Sequence, residues 1–205
     1  MADLKSICVY CGSNAGTDPQ FAAGAKALGT SLAREGIRLV YGGGSVGLMG
    51  IIARSVLDGG GAVTGIIPQF LKDREVMLKV ADDLVVTRDM HERKRVMFER
   101  SDAFVAMPGG IGTLEELVEI MTWAQLDRHR KPILLLNIAG FWDPLMALFG
   151  HMAEKGFLHK AFLGDHEDLP VRIVARVEDV IPTIRMAIAT IPRQALEGTS
   201  GAELM

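Results

Sequence analysis

The chain has 205 residues and a mass of 22.2 kDa, with 49% hydrophobic and 23% charged residues and a formal net charge of −3. This balance excludes a disordered chain, and the slight acidity excludes a general nucleic-acid binder, which carries a basic excess. No apolar run approaches a membrane span and the N-terminus lacks a signal-peptide layout, so no membrane association and a cytoplasmic location are expected.

From the N-terminus, "SICVY" predicts a strand and the stretch from about Asp18 to Arg34 a helix. Both cysteines fall in "CVYC", so Cys8 and Cys11 form a CxxC. Zinc would need two further ligands and none stands at a suitable spacing, so a buried strand thiol and a loop thiol are expected. Next, "IRLVY" precedes "GLMGIIARSVL", and "AVTGIIP" follows a glycine cluster. The segment from Gln69 to Asp83 is charged and has no clear period. "DLVVT" leads to "DMHERKRVMFER", "DAFVAMP" to "TLEELVEIMTWAQL", "PILLLN" to "DPLMALFGHMAEKG", and "VRIVA" to "EDVIPTIRMAIAT". Short β-branched runs alternating with amphipathic stretches predict an α/β fold, a Rossmann-like doubly wound parallel sheet of about seven strands with helices on both faces. Residues 1–191 are read as one domain, and residues 192–205, with little to bury, as a mobile tail.

Ligands of such sheets bind at the carboxyl ends of the strands, where this chain is rich in glycine. "VYGGGSVGLMG" holds a GxGxxG at Gly42, Gly44 and Gly47. The dinucleotide version of that motif needs an acid about twenty residues on, where this chain reads "AVTGIIPQ", so an NAD-linked enzyme is disfavoured. The second loop, "MPGGIGT", brings Gly109, Gly110 and Gly112 to the start of a helix, whose unpaired amides form an anion site. Within "PGGIGTLEE", Thr113 followed by Glu116 reads as a capping box that would place Glu116 at the third helical position. It reads equally as a phosphate cradle with a carboxylate behind it. "RDMHERKRVMFER" carries five Lys or Arg against three acids, and Asp89 with Glu92 forms a second capping-box pattern. Arg93 and Lys94 fall early in that helix, after a strand end, where they can meet phosphate or base.

"DMHERK" followed by "PGGIGTLEE" resembles the paired Arg-Lys and PGGxGTxxE signature of the Lonely Guy family, the cytokinin riboside 5′-monophosphate phosphoribohydrolases. The similarity runs from "CVYCGSNAG" through "VYGGGSVGLMG" to "PILLLN". The resemblance implies a Rossmann-like fold, a homodimer, and cleavage of a nucleoside 5′-monophosphate to free base and ribose 5-phosphate. It places substrate contacts at Glu75, Arg93, Lys94, Gly110, Ile111, Gly112, Thr113, Leu114, Glu115, Glu116 and Thr122, with Arg93 and Glu116 as the catalytic pair. Ser13, Gly43, Gly44 and Met90, in the same loops and helix start, are candidates for additional nucleotide contacts.

N-glycosidic hydrolysis passes through a ribosyl cation-like transition state, which a fixed carboxylate stabilises. Glu116 fits that role, orienting water as well. Arg93 stays protonated and is a poor general acid, so it is read as hydrogen-bonding the departing base or the phosphate. No cofactor and no metal is required. Similar sequences have carried a lysine decarboxylase label, but "FLHKAF", with His159 and Lys160, lacks the serine that pyridoxal phosphate sites often show two residues before the histidine. The alternative reading is a non-catalytic nucleotide carrier or sensor on the same fold. Whether the base is plain or prenylated adenine is not legible in the sequence.

Overall fold

The computed structural model describes residues 4–72, 83–158 and 171–191. Seven strands form one sheet: β1 Ser6–Tyr10, β2 Arg38–Tyr41, β3 Val63–Pro68, β4 Asp83–Thr87, β5 Ala103–Ala106, β6 Ile133–Leu136 and β7 Val171–Val174. Their order is β4-β3-β2-β1-β5-β6-β7, and every neighbouring pair is parallel. The alternation of runs in the sequence is therefore realised strand for strand. The helices are α1 Pro19–Arg34, α2 Gly47–Asp58, α3 Gln69–Lys72, α4 Met90–Glu99, α5 Ile111–Gln125, α6 Asp143–Glu154 and α7 Val180–Thr190. The tail, 192–205, and His159 with Lys160 lie outside the described residues, as does Glu75.

The central strands are apolar throughout because both of their faces are covered. Along β1, Ile7 and Val9 enter the core beneath α1, α2 and α7, while Cys8 and Tyr10 enter the core beneath α4, α5 and α6. Side chains three positions apart in extended chain point to opposite faces. Cys11 accordingly packs with the first layer and Cys8 with the second, and both thiols are free and buried. Two thiols packed into opposite layers of the sheet do not form a redox pair.

The chain leaves β1 for α1 on one face and β5 for α5 on the other, so a crevice opens between the carboxyl ends of these two neighbours. Asp18 starts α1 by accepting from the Gln20 amide at 2.8 Å, with Pro19 fixing the first turn. The loops above β1 and β5 are tied together, the Gly12 amide donating to the Pro108 carbonyl at 3.1 Å. The Leu48 amide, at the start of α2, donates to the Gly12 carbonyl at 3.0 Å. Between them lies a cavity of about 240 Å³ lined by Gly12 to Gly16, Phe21, Leu48, Pro108 to Gly110 and Phe141.

Candidate active site

One wall of this crevice is the start of α5. Gly110 is its N-cap and no side chain caps it. The capping box expected from Thr113 and Glu116 is absent, because the helix begins two residues before Thr113. Thr113 is buried, its side chain lying against Gly109, and Glu116 is the sixth helical residue rather than the third. The amides of the first turn have no acceptor inside the helix and carry its positive dipole end. A methyl group added at Gly110 or at Gly112 would meet nothing within 4 Å, and neither residue has a positive φ. Packing and backbone conformation therefore leave glycine unexplained at both positions, and the surface above these amides is open.

Beside this wall, α4 packs against α5. Asp89 caps α4, accepting from the Glu92 amide at 2.8 Å, as the sequence pattern predicts. Glu92 reaches back one residue further than the standard box, accepting from the Arg88 amide at 2.7 Å and from its Nε at 3.0 Å. This lock fixes the turn that aims Arg93. Arg93 Nε donates to the Ile66 carbonyl in the second half of β3, at 3.1 Å, and Nη1 donates to Glu116 Oε1 at 2.8 Å. Both side chains are only 11% exposed, so the pair is a largely desolvated ion pair. Burial pushes the Glu116 carboxyl above the usual glutamate range, and the adjacent Arg93 charge opposes that push without cancelling it. Lys94 turns elsewhere: its Nζ donates to Glu115 Oε1 at 2.6 Å and to Glu119 Oε1 at 2.9 Å.

The glycine run after β2 packs against Arg93 and against the loop after β1. A methyl at Gly42 would overlap the Arg93 guanidinium, and one at Gly47, where φ is +59°, would overlap the Ser13 carbonyl. The run thus admits Arg93 from one side and the β1 loop from the other, which accounts for Gly42 and Gly47 without a dinucleotide. Ser13 lines the crevice; Gly43 and Gly44 are buried beside it in the β2 loop, and Met90 opens α4 half-buried. Thr122 stands on the exposed side of α5, about 14 Å along the axis from Thr113, with its hydroxyl donating to the Val118 carbonyl at 2.7 Å.

Three features escaped the sequence reading. Glu119 is the second acid on Lys94, detectable only as an i, i+4 partner of Glu115 once α5 is known to face α4. The Ile66 carbonyl carries no side-chain signal. Phe21 and Phe141, which stack edge-on at 5.7 Å, supply an apolar end to the crevice. Phe141 follows a 3-10 turn, Ile138–Gly140, in which Ala139 adopts a left-handed φ of 52°.

Comparison with known proteins bears on this arrangement. The profile of a family described as "Possible lysine decarboxylase" matches residues 49–182. The chain is 54% identical over 152 residues to a probable cytokinin riboside 5′-monophosphate phosphoribohydrolase of Oryza sativa subsp. japonica, covering 74% of this chain and 68% of that one. It is 44% identical over 181 residues to a cytokinin riboside 5′-monophosphate phosphoribohydrolase of Arabidopsis thaliana, covering 87% and 85%. Among solved structures, the molybdenum cofactor carrier protein of Chlamydomonas reinhardtii superposes with a TM-score of 0.66 at 23% identity, covering 91% of this chain and 99% of that one. The molybdenum cofactor binding protein of Rippkaea orientalis gives the same TM-score and identity over 92% and 99%. At such identity these two share the fold alone.

Proposed function

The chain belongs to the family of cytokinin riboside 5′-monophosphate phosphoribohydrolases, and from that premise we propose how it acts. It hydrolyses the N-glycosidic bond of an adenine or cytokinin nucleoside 5′-monophosphate, giving free base and ribose 5-phosphate. The observation that carries the site assignment is the buried Arg93–Glu116 pair beside an open helix start. A carrier needs a phosphate cradle but no desolvated carboxylate behind it.

In this reading the 5′-phosphate rests on the amides from Ile111 to Thr113, at the positive end of α5. That places the sugar over the following turn, toward Glu116. The ionised carboxylate accepts the proton of the attacking water and stabilises charge developing on the ribose. Water supplies hydroxyl to C1′ and the proton ends on the departing base nitrogen. Arg93, always protonated, holds Glu116 in place and offers its guanidinium edge to phosphate or base. The Phe21–Phe141 edge gives the crevice an apolar surface. The decarboxylase label fits less well. It implies pyridoxal phosphate on a lysine able to react as a neutral amine, and the lysine adjoining Arg93, Lys94, is instead held as an ammonium by two glutamates.

We place the protein in the cytoplasm as a homodimer. Two free, buried cysteines suit a reducing compartment. Among the described residues no helix is long and apolar enough to cross a membrane. Ile111, Val118 and Leu126 are 83%, 41% and 65% exposed along the face of α5 that also holds Thr122, an apolar stripe suited to a second copy. Light scattering that reports a monomer at micromolar concentration would refute the dimer. The activity is tested by chromatography of products from AMP and from adenosine. Adenine and ribose 5-phosphate are expected from AMP, with adenosine a far poorer substrate. Binding of AMP without cleavage would favour the carrier reading, and equal rates on both would remove the phosphate site.

A further inference from the structure

Arg93 and Lys94 are adjacent in sequence, yet on a helix adjacent side chains diverge by about 100°. Arg93 therefore turns inward toward Glu116, and Lys94 turns outward toward Glu115 and Glu119. Two cations on α4 thus meet three carboxylates on α5, with Glu115 directly preceding Glu116. The site already carries an excess of negative charge before a phosphate dianion arrives, and Lys94, only 12% exposed, is the cation that offsets the two flanking acids. A lysine committed to two carboxylates at 2.6 and 2.9 Å is poorly placed to grip phosphate as well.

We propose that Lys94 is a positioning residue for Glu116 and not a phosphate ligand: it neutralises Glu115 and Glu119, clamps α5 against α4, and so keeps Glu116 a carboxylate turned toward Arg93. The proposal rests on Glu116 being the reacting carboxylate. Among the described residues the groups that face Glu116 come from three elements. From α4 come Arg93 and Lys94, from α5 Glu115, with Glu119 about one helical turn on, and from β1 and its loop Cys8, Tyr10 and Cys11. Burial pushes those two thiols and the phenol upward, so they stay neutral and do not compete. On Glu116 itself burial acts upward first, Arg93 acts downward, Glu115 adds to the rise and Lys94 opposes it.

The test compares kcat/KM on AMP between about pH 5 and pH 8 for Lys94→Met, Lys94→Arg and the double variant Lys94→Met/Glu119→Gln, each as a ratio to wild type. The substrate's own phosphate ionisation cancels in that ratio. Losing one neighbouring opposite charge raises a carboxylate pKa by about one unit. The Lys94→Met ratio is therefore expected to fall about tenfold from pH 8 to pH 5, while Lys94→Arg stays flat. The double variant, which removes an acid along with the lysine, should be much flatter than Lys94→Met, and it serves if the single variant folds poorly. The preference for AMP over adenosine should not change. A pH-independent loss in Lys94→Met, a double variant as pH-dependent as the single, or a raised KM with loss of the AMP preference would overturn the proposal. Full turnover in Glu116→Gln would instead overturn the catalytic reading on which it rests, a separate result.

Discussion

Replacing Gly112 by alanine should move stability and activity in opposite directions. Gly112 is the second residue of α5, its φ is not positive, and a methyl there meets nothing within 4 Å. Alanine should therefore fit without strain and gain helix propensity. The full gain in a helix interior is about 1 kcal/mol, so roughly half of that is expected in the first turn. For a chain of this size that is a rise of about 1–2 °C in Tm. The same methyl would stand over the amides assigned to the phosphate. Each charge-assisted hydrogen bond lost is worth about 1.5–3 kcal/mol, or roughly ten- to a hundredfold and more in kcat/KM. Gly109→Ala is the control, because its methyl would overlap the Thr113 side chain and should lower both quantities. Calorimetry and chromatographic measurement of adenine release read the two effects. A Gly112→Ala protein with higher Tm and unchanged kcat/KM on AMP would mean that the open helix start is not the phosphate site.

Glu116→Gln should lose roughly a hundredfold or more in turnover, the scale seen when a key electrostatic group is removed, without losing stability at pH 7. The sign follows from burial: a carboxyl whose folded pKa is raised binds its proton more tightly in the folded chain. Its stabilising neutral form is therefore lost as pH rises through the folded value. The neutral amide escapes that loss and can still accept from Arg93, so a fall in Tm with wild-type turnover would reduce the pair to architecture. For the same reason wild-type activity, which needs the carboxylate, should decline with falling pH at values above the usual glutamate range. A site-specific titration of Glu116 below pH 4 would contradict this.

The sheet was legible because both-face burial makes the parallel strands near-continuous apolar runs, and the glycine loops mark their carboxyl ends. The loop–helix junction at residues 108–116 was misread in detail for an equally physical reason. Thr113 with Glu116 has the spacing of a capping box, but that spacing is also one helical turn, and local pattern cannot distinguish the start of a helix from its second turn. Gly110 takes the cap, which moves Glu116 inward by three positions and onto α4. That shift changes what the carboxylate is. A cap at a helix start would be half-solvated and acidic, held by an amide. In the sixth position Glu116 is desolvated and held by a guanidinium that itself hangs from the Ile66 carbonyl of β3. Its basicity is then set first by burial and by Arg93 and Lys94 of α4, none of which a local reading of "TLEE" contains. The adjacent pair Arg93–Lys94 is readable as a motif, whereas the opposite aims of its two side chains depend on where α5 lies. Residue type and spacing thus named the participants, and helix packing assigned Arg93 to Glu116 and Lys94 to the charge balance behind it.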